Sequence, residues 1–141
     1  MREVLFRVAE RRQIPLILVA NRPLVVPRSR FISTVVVGAG FDVADDHIAA
    51  SCDAGDIVVT GDIPLAAAAV ERGAVVIEYR GDLLDANNVK QRLAQRDRLA
   101  EARESGLDMG GPAPYGKPDI QRFSNAMDRL LTKLQPSFRV T

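Results

Sequence analysis

The sequence is poor in the residues that build disulfide frameworks, zinc centres and aromatic platforms. Its 141 residues include one cysteine, one histidine and no tryptophan, and only 5% are aromatic. The lone Cys52 cannot form an internal disulfide or supply a cysteine-rich zinc site, which favours a reducing, cytoplasmic setting. The lone His47 is better explained as a solvated side chain than as a metal ligand. With so few aromatic residues, a stacking platform for single-stranded nucleic acid is not expected.

Long apolar segments and an excess of one charge are also missing. No apolar run approaches the roughly 18–20 residues of a membrane span, and the first residues do not resemble a signal peptide. Nineteen basic against eighteen acidic residues give a formal net charge of +1. This balance excludes a strongly basic nucleic-acid coat and an acidic tail, but not a local basic patch. Without a serine–histidine pairing or a phosphate-binding Gly-Lys loop, serine hydrolase and P-loop chemistry are disfavoured.

What the sequence does contain is the pattern of an α/β protein. Hydrophobic residues make up 47% and charged residues 26%, which is typical of one soluble globular domain. Buried-strand runs are predicted at 14–20, 34–37, 56–60 and 74–77. Helices are predicted over 2–12, from about Asp42 or Asp45 to Cys52, from about Asp62 to Gly73, over 85–104 and from Asp119 onward. Strands that alternate with helices over short links predict a parallel sheet with right-handed crossovers.

The domain organisation follows from the same pattern. The strand–helix alternation ends near residue 81, and residues 82–141 read as mainly helical, with a Gly/Pro-rich loop over 106–118. We therefore predict a single domain over 1–141, with an α/β core over 1–81 and a helical C-terminal part over 82–141.

Aspartates follow two of the predicted strands. Asp62 comes after the strand at 56–60, and Asp42, Asp45 and Asp46 come after the strand at 34–37. Ligands of open parallel sheets bind outside the carboxyl ends of the strands, where these two turns could face the same edge. Converging carboxylates repel one another unless a hard cation such as Mg²⁺ neutralises them. Such an ion can activate water and steady a phosphate during an in-line displacement.

Each of these features also has a simpler structural explanation. Aspartate is a preferred N-cap residue, and all four acids stand at helix starts, so capping is the alternative to metal binding. Arg22, Arg28 and Arg30 stand in a loop without acids, where they either contact phosphates or are merely solvated.

Three segments resemble the YaiI/YqxD family of bacterial proteins. They are Val-Ala-Asn-Arg-Pro at 19–23, Gly-Phe-Asp-Val-Ala-Asp-Asp at 40–46, and 55–66, which ends in the most specific block, Thr-Gly-Asp-Ile-Pro-Leu-Ala. Shorter matches extend to the helix around Phe123, so the resemblance covers essentially the whole chain. The family is similar to PIN-like domains, metal-dependent nucleases with acids at the carboxyl edge of the sheet. The resemblance implies a PIN-like parallel sheet with flanking helices and a helical C-terminal appendage.

The resemblance also implies roles for individual residues. Asp62 falls on the acid after the family's fourth strand, and Asp42 and Asp45 fall on the acids of its Gly-x-Asp-x-Ala-Asp block. These three aspartates are the expected catalytic residues and the expected ligands of Mg²⁺ or Mn²⁺. The implied function is that of a metal-binding hydrolase, a nuclease acting on RNA or DNA. For that function we expect the loop arginines to bind the nucleic acid, with Arg28 and Arg30, and Arg22 beside them, positioning its backbone.

Two alternatives to this function stay open, because the sequence departs from the family at its front. Family members begin with a strand and an Asp-x-Asp-Ala-Cys-Pro turn, whereas this sequence begins at the helix that follows. In a PIN-like order that strand is central and carries a metal-binding acid, so the strands at 15–20 and 56–60 should flank a gap. A misplaced start codon, closure of the two strands on each other, or a damaged copy would explain the difference. The alternatives are a non-catalytic RNA- or protein-binding module and an N-terminally truncated, inactive member.

Overall fold

The structure is a computed structural model that describes residues 2–40, 42–104 and 114–138. The chain forms two compact units, residues 1–52 (unit 1) and residues 53–141 (unit 2). Each unit carries its own small sheet. Among the described residues, no helix combines the length and the apolar character that crossing a membrane requires.

Unit 1 is built on two parallel strands. Its elements are α1 (Arg2–Arg12), β1 (Leu16–Ala20), β2 (Ile32–Val36) and α2 (Val43–Ser51). Leu16 lies opposite Ile32, and Ala20 lies opposite Val36. Residues 21–31 connect the two strands without a helix. Helices α1 and α2 both contact β1, and α1 buries Val4 and Ala9. Because β1 and β2 run in parallel, the chain leaves both strands at the same edge of the sheet.

The described residues of unit 2 form a mixed sheet and three helices. Its elements are β3 (Ile57–Val59), α3 (Ile63–Glu71), β4 (Val75–Ile77), β5 (Leu83–Leu84), α4 (Val89–Glu104) and α5 (Lys117–Phe138). Strands β3 and β4 are parallel, and β5 pairs with β4 in the antiparallel direction. The β3–α3–β4 segment is the βαβ unit that alternating strands and helices predict.

The core of unit 2 combines the centre of this sheet with the apolar stripes of two helices. Val76 and Ile77 of β4, Ala66 and Ala69 of α3, and Phe123 of α5 have no exposed surface. Small alanines on α3 leave room for close approach of the backbone. Helix α5 presents buried side chains at a spacing of three and four residues, as the sequence predicts. These are Phe123, Ala126, Met127, Leu130 and Leu131.

The α/β class and the C-terminal helix are confirmed, and the architecture is consistent with a PIN-like fold. Three details differ from the prediction. Strand β5 was not expected, and α4 begins at Val89 rather than at 85, because the Asp85 carboxylate accepts the N–H groups of Asn87 and Asn88 in a turn. Helix α5 begins at Lys117, two residues before the predicted cap. Most of the predicted loop at 106–118 lies outside the described residues, and the single-domain organisation stays a prediction.

Candidate functional site

An open cleft of about 340 Å³ lies in unit 1 where β1 and β2 end. Its polar lining consists of Asn21 and Arg22, which follow β1, Asp42 and Asp45, which follow β2, and Arg2 at the start of α1. Polar groups therefore converge at the carboxyl ends of parallel strands, the usual position of ligand sites in α/β proteins. The lining carries two guanidinium groups and two carboxylates, so it can contact both a cation and an anion.

Asp42 stands at the N-cap position of α2 but does not cap the helix with its side chain. Its backbone is left-handed, with φ 62°, and its carboxylate makes no capping hydrogen bond. The Asp42 carbonyl oxygen instead accepts the N–H of Asp46 at 2.8 Å. Aspartate is one of the few residue types that adopts this backbone region without a large penalty. The capping explanation therefore does not account for the exposed Asp42 carboxylate.

Asp45 lies in the first turn of α2 and is half-buried. One of its carboxylate oxygens lies within 4.8 Å of a carboxylate oxygen of Asp42. Two ionised carboxylates at this separation repel each other, and a bound cation would relieve the repulsion. Asp46 is exposed and does not line the cleft. Two of the predicted metal ligands are thus neighbours in the same cleft.

Asp62, the third predicted ligand, belongs to unit 2 and caps α3. The N–H of Leu65 donates to Asp62 Oδ1 at 2.8 Å, and the N–H of Asp62 donates to Thr60 Oγ1 at 3.0 Å. Thr60 is only 5% exposed, so this turn is anchored in the interior. The capping explanation holds for Asp62, and its joint role with Asp42 and Asp45 stays a prediction.

The three predicted nucleic-acid-binding arginines are all exposed in the connection between β1 and β2. Arg22 lines the cleft, whereas Arg28 and Arg30 do not. The Arg30 guanidinium lies over the ring of Phe31, 4.9 Å from its centroid, which holds that cation at the surface.

Two polar residues of the cleft were missed by the sequence prediction. Asn21 directly follows a strand, so its position at a strand's carboxyl end was a usable signal. Arg2 begins a helix, and nothing in the local sequence indicates that it reaches this cleft.

A second charged cluster lies in unit 2 beside the turn between β4 and β5. Arg92 donates to Glu78 at 3.3 Å and to Asp82 at 2.8 Å. Burial and the nearby Asp82 carboxylate raise the pKa of Glu78. The hydrogen bond from Arg92 lowers the pKa of Asp82 against the opposing effect of desolvation. This cluster ties the turn to α4, and its groups are paired with one another.

The fold and the cleft define an α/β protein with acidic and basic side chains at the carboxyl edge of a parallel strand pair. A sequence model described as "Uncharacterized BCR, YaiI/YqxD family" matches residues 1–133. The chain belongs to this family, which confirms the resemblance seen in the sequence.

Bacterial relatives match over most of their length. A UPF0178 protein of Saccharophagus degradans is 53% identical, and the match covers 94% of this chain and 88% of the relative. A UPF0178 protein of Trichlorobacter lovleyi is 48% identical, and the match covers 95% of this chain and 87% of the relative. The UPF0178 protein YaiI of Escherichia coli O81 is 47% identical over 97% and 90% of the two chains. No solved structure matches.

Proposed function

We propose that this protein is a divalent-metal-dependent nuclease that hydrolyses phosphodiester bonds in RNA or DNA. The observation that carries the proposal is the unit 1 cleft, in which the carboxylates of Asp42 and Asp45 stand with the guanidinium groups of Arg2 and Arg22. Carboxylates bind cations and guanidinium groups bind phosphates. Metal-dependent hydrolysis of a phosphodiester requires both a cation and a phosphate in the same site.

The residues of the cleft fit a hard divalent cation. Asp42 and Asp45 offer carboxylate oxygens, which Mg²⁺ and Mn²⁺ prefer, and the Asp42 carboxylate is not engaged in capping. A bound ion of this kind supplies activated water and stabilises negative charge on a phosphate. Asp62 is retained as a third ligand on the strength of the sequence prediction.

The basic residues of the cleft would bind and orient the substrate. Arg2 and Arg22 can each donate two parallel hydrogen bonds to a phosphate, and the Asn21 amide can donate to a sugar or phosphate oxygen. Arg28 and Arg30, on the same connection as Arg22, would extend the contact along the backbone. A cleft of about 340 Å³ lies near the lower end of the roughly 300–1,000 Å³ typical of small-ligand sites. It therefore suits one nucleotide unit at a time.

A calorimetric titration with Mn²⁺ and Mg²⁺ tests the metal site. We expect Asp42→Asn and Asp45→Asn each to weaken binding by about tenfold or more, because each removes a charged ligand. Asp46→Asn is the matched control, since it makes the same change on the same helix outside the cleft. Parent-like binding by Asp42→Asn, or loss of binding in Asp46→Asn, would contradict the assignment.

Cleavage of end-labelled RNA and DNA in the presence of Mn²⁺ tests the reaction. We expect products from the parent and the Asp46→Asn variant, and none after chelation or in Asp42→Asn. Nucleic-acid binding without metal-dependent cleavage would support the binding module instead. Failure to bind either metal or nucleic acid would support the inactive member.

A further inference from the structure

The chain has two tyrosines and no tryptophan, and the two tyrosines meet in unit 2. The Tyr115 hydroxyl donates a hydrogen bond to the carbonyl oxygen of Tyr79 at 2.9 Å, across 36 residues of sequence. Tyr79 is 45% exposed and Tyr115 is 40% exposed. Large rings normally contribute to the core, whereas Tyr79 and Tyr115, here called the aromatic patch, both keep accessible surface.

The patch lies beside the turn that holds Asp62. Tyr79 follows β4, and Gly61 follows β3, its parallel neighbour. A Cβ atom on Gly61 would lie 3.0 Å from the Tyr79 ring, so the backbone of the Asp62 turn directly contacts one ring. The aromatic patch thus borders the sequence block from which the catalytic role of Asp62 was predicted.

One guanidinium group lies against this patch. The Arg80 guanidinium lies 6.0 Å from the centre of the Tyr115 ring. Arg80 and Arg122 both pair with the carboxylate of Asp119. Burial and the Asp119 charge raise the pKa of Tyr115. Exposed rings flanked by arginines are the combination with which proteins hold unpaired bases and their phosphates.

We propose that Tyr79 and Tyr115 form a platform on which a nucleobase of single-stranded nucleic acid stacks, next to the Asp62 turn. The inference rests on the proposed function and narrows its substrate to unpaired strands. Bases of a duplex are stacked on one another, so only an unpaired base can place its face on a protein ring. Arg80 and Arg122 would contact the flanking phosphates.

Tyrosine fluorescence provides the first test, because emission can come only from these two residues. The protein is titrated with single-stranded oligothymidylate in EDTA, where no metal-dependent cleavage occurs, and in parallel with an abasic strand of equal length. We expect quenching by the oligothymidylate and little by the abasic strand. Equal quenching by both strands would show phosphate contact without stacking and overturn the platform.

Affinities from the anisotropy of labelled oligothymidylate provide the second test. We expect Tyr79→Leu to weaken binding by at least about fivefold, since loss of one stacked base corresponds to about 1 kcal/mol or more. Tyr79→Phe keeps the ring and should bind like the parent. Thermal unfolding of each variant checks that the fold is intact. Parent-like affinity of folded Tyr79→Leu would overturn the inference.

The two proposals fail in different ways. Metal-dependent cleavage by the parent together with parent-like affinity of Tyr79→Leu would reject the platform and keep the nuclease. Base-dependent quenching without any metal-dependent cleavage would keep the platform and reject the nuclease.

Discussion

Asp42 and Asp62 both stand at the N-terminal boundary of a helix that follows a strand, and they use their side chains differently. Asp62 accepts the N–H of Leu65 and closes the first turn of α3. Asp42 has a left-handed backbone and makes no such bond. The same residue type at the same kind of position therefore caps its helix in unit 2 and leaves its carboxylate out of capping in unit 1. Backbone conformation, rather than residue identity, separates the two roles.

Substitutions at Asp62 can separate capping from metal binding. We expect Asp62→Ala to lower the free energy of unfolding by about 1 kcal/mol, because an orphan N–H of α3 loses its acceptor. Asp62→Asn should be close to the parent, since asparagine caps about as well. Urea unfolding measures both changes. If Asp62→Asn binds Mn²⁺ as tightly as the parent, Asp62 is not a ligand.

Gly81 occupies a position that no other residue type fits well. Its φ is +96°, and a Cβ atom there would lie 2.8 Å from the carbonyl oxygen of Arg122 in α5. We expect Gly81→Ala to reduce stability by about 1–3 kcal/mol, from backbone strain and the displacement of α5. Gly38→Ala is the control, because a Cβ atom at Gly38 meets nothing within 4 Å. Comparable losses in the two variants, measured by thermal unfolding, would refute this account.

At the scale of elements, α5 carries a buried acid in its first turn. Asp119 is 5% exposed and accepts the N–H of Gly116 at 2.9 Å. Arg122 donates to the same carboxylate, and Arg80 lies 3.6 Å from it. The Gly116 N–H is the main reason that the pKa of Asp119 lies below its ordinary value. Desolvation opposes this effect, and Arg122 and Arg80 reinforce it. A carboxylate in the first turn also interacts favourably with the helix dipole.

The lowered pKa of Asp119 predicts how stability depends on pH. The stabilisation is present above the pKa of the unfolded chain, near 3.9, and is lost as the pH falls through the lower folded pKa. We expect Asp119→Asn to be less stable than the parent at pH 7 and the difference to shrink between about pH 5 and pH 2. Urea unfolding of both proteins at each pH measures it. A difference that is independent of pH would show that the charge is not responsible.

The difference in stability between the parent and Asp119→Asn is more informative than the stability of the parent alone. The reason is that the titration of Glu78 changes stability with pH in the opposite direction. Burial raises the pKa of Glu78. The contribution of Glu78 to stability is therefore present at low pH and is lost as the pH rises through the pKa that Glu78 has in the folded protein. The total stability of the parent therefore combines both trends, whereas the comparison with Asp119→Asn isolates one.

At the scale of the whole molecule, sequence patterns predicted the order of the long elements. Apolar runs such as 14–20 and the three-to-four spacing from Phe123 to Leu131 depend on local periodicity, which the sequence displays directly. Strand β5 was missed because Leu83 and Leu84 are too few to show a period. The strand pairing, with β1 and β2 in one sheet and β3, β4 and β5 in another, was not predicted, because pairing depends on contacts between distant segments.

The candidate site was likewise predicted only where local sequence determines the position of a residue. Asp42 and Asp45 were predicted because they follow a strand and match the family, and unit 1 brings them together. Arg2, and the contact between Tyr79 and Tyr115, depend on residues far apart in sequence. The low number of aromatic residues predicts that there is no aromatic platform, and the proposed role of Tyr79 and Tyr115 departs from that prediction.

Cys52 offers a measurement of how the folded chain opens. It is the only cysteine, lies at the end of unit 1 and is 6% exposed. We expect a thiol reagent to modify it at least about a hundredfold more slowly in the native protein than in denaturant, because attack requires local or global opening. A free-cysteine peptide gives the reference rate. Comparable rates in the two conditions would show that this end of α2 opens freely.

The turn from Glu78 to Asp82 has a consequence for sequence variation among related chains. Its five residues have four partners: Glu78 and Asp82 both pair with Arg92, Tyr79 accepts a hydrogen bond from Tyr115, Arg80 pairs with Asp119, and Gly81 lies against α5. Inserting one residue would shift several of these partners out of reach at once, so a length change is far more damaging than any single substitution. Surface turns usually absorb insertions freely, whereas this one should keep a fixed length wherever the arrangement is retained.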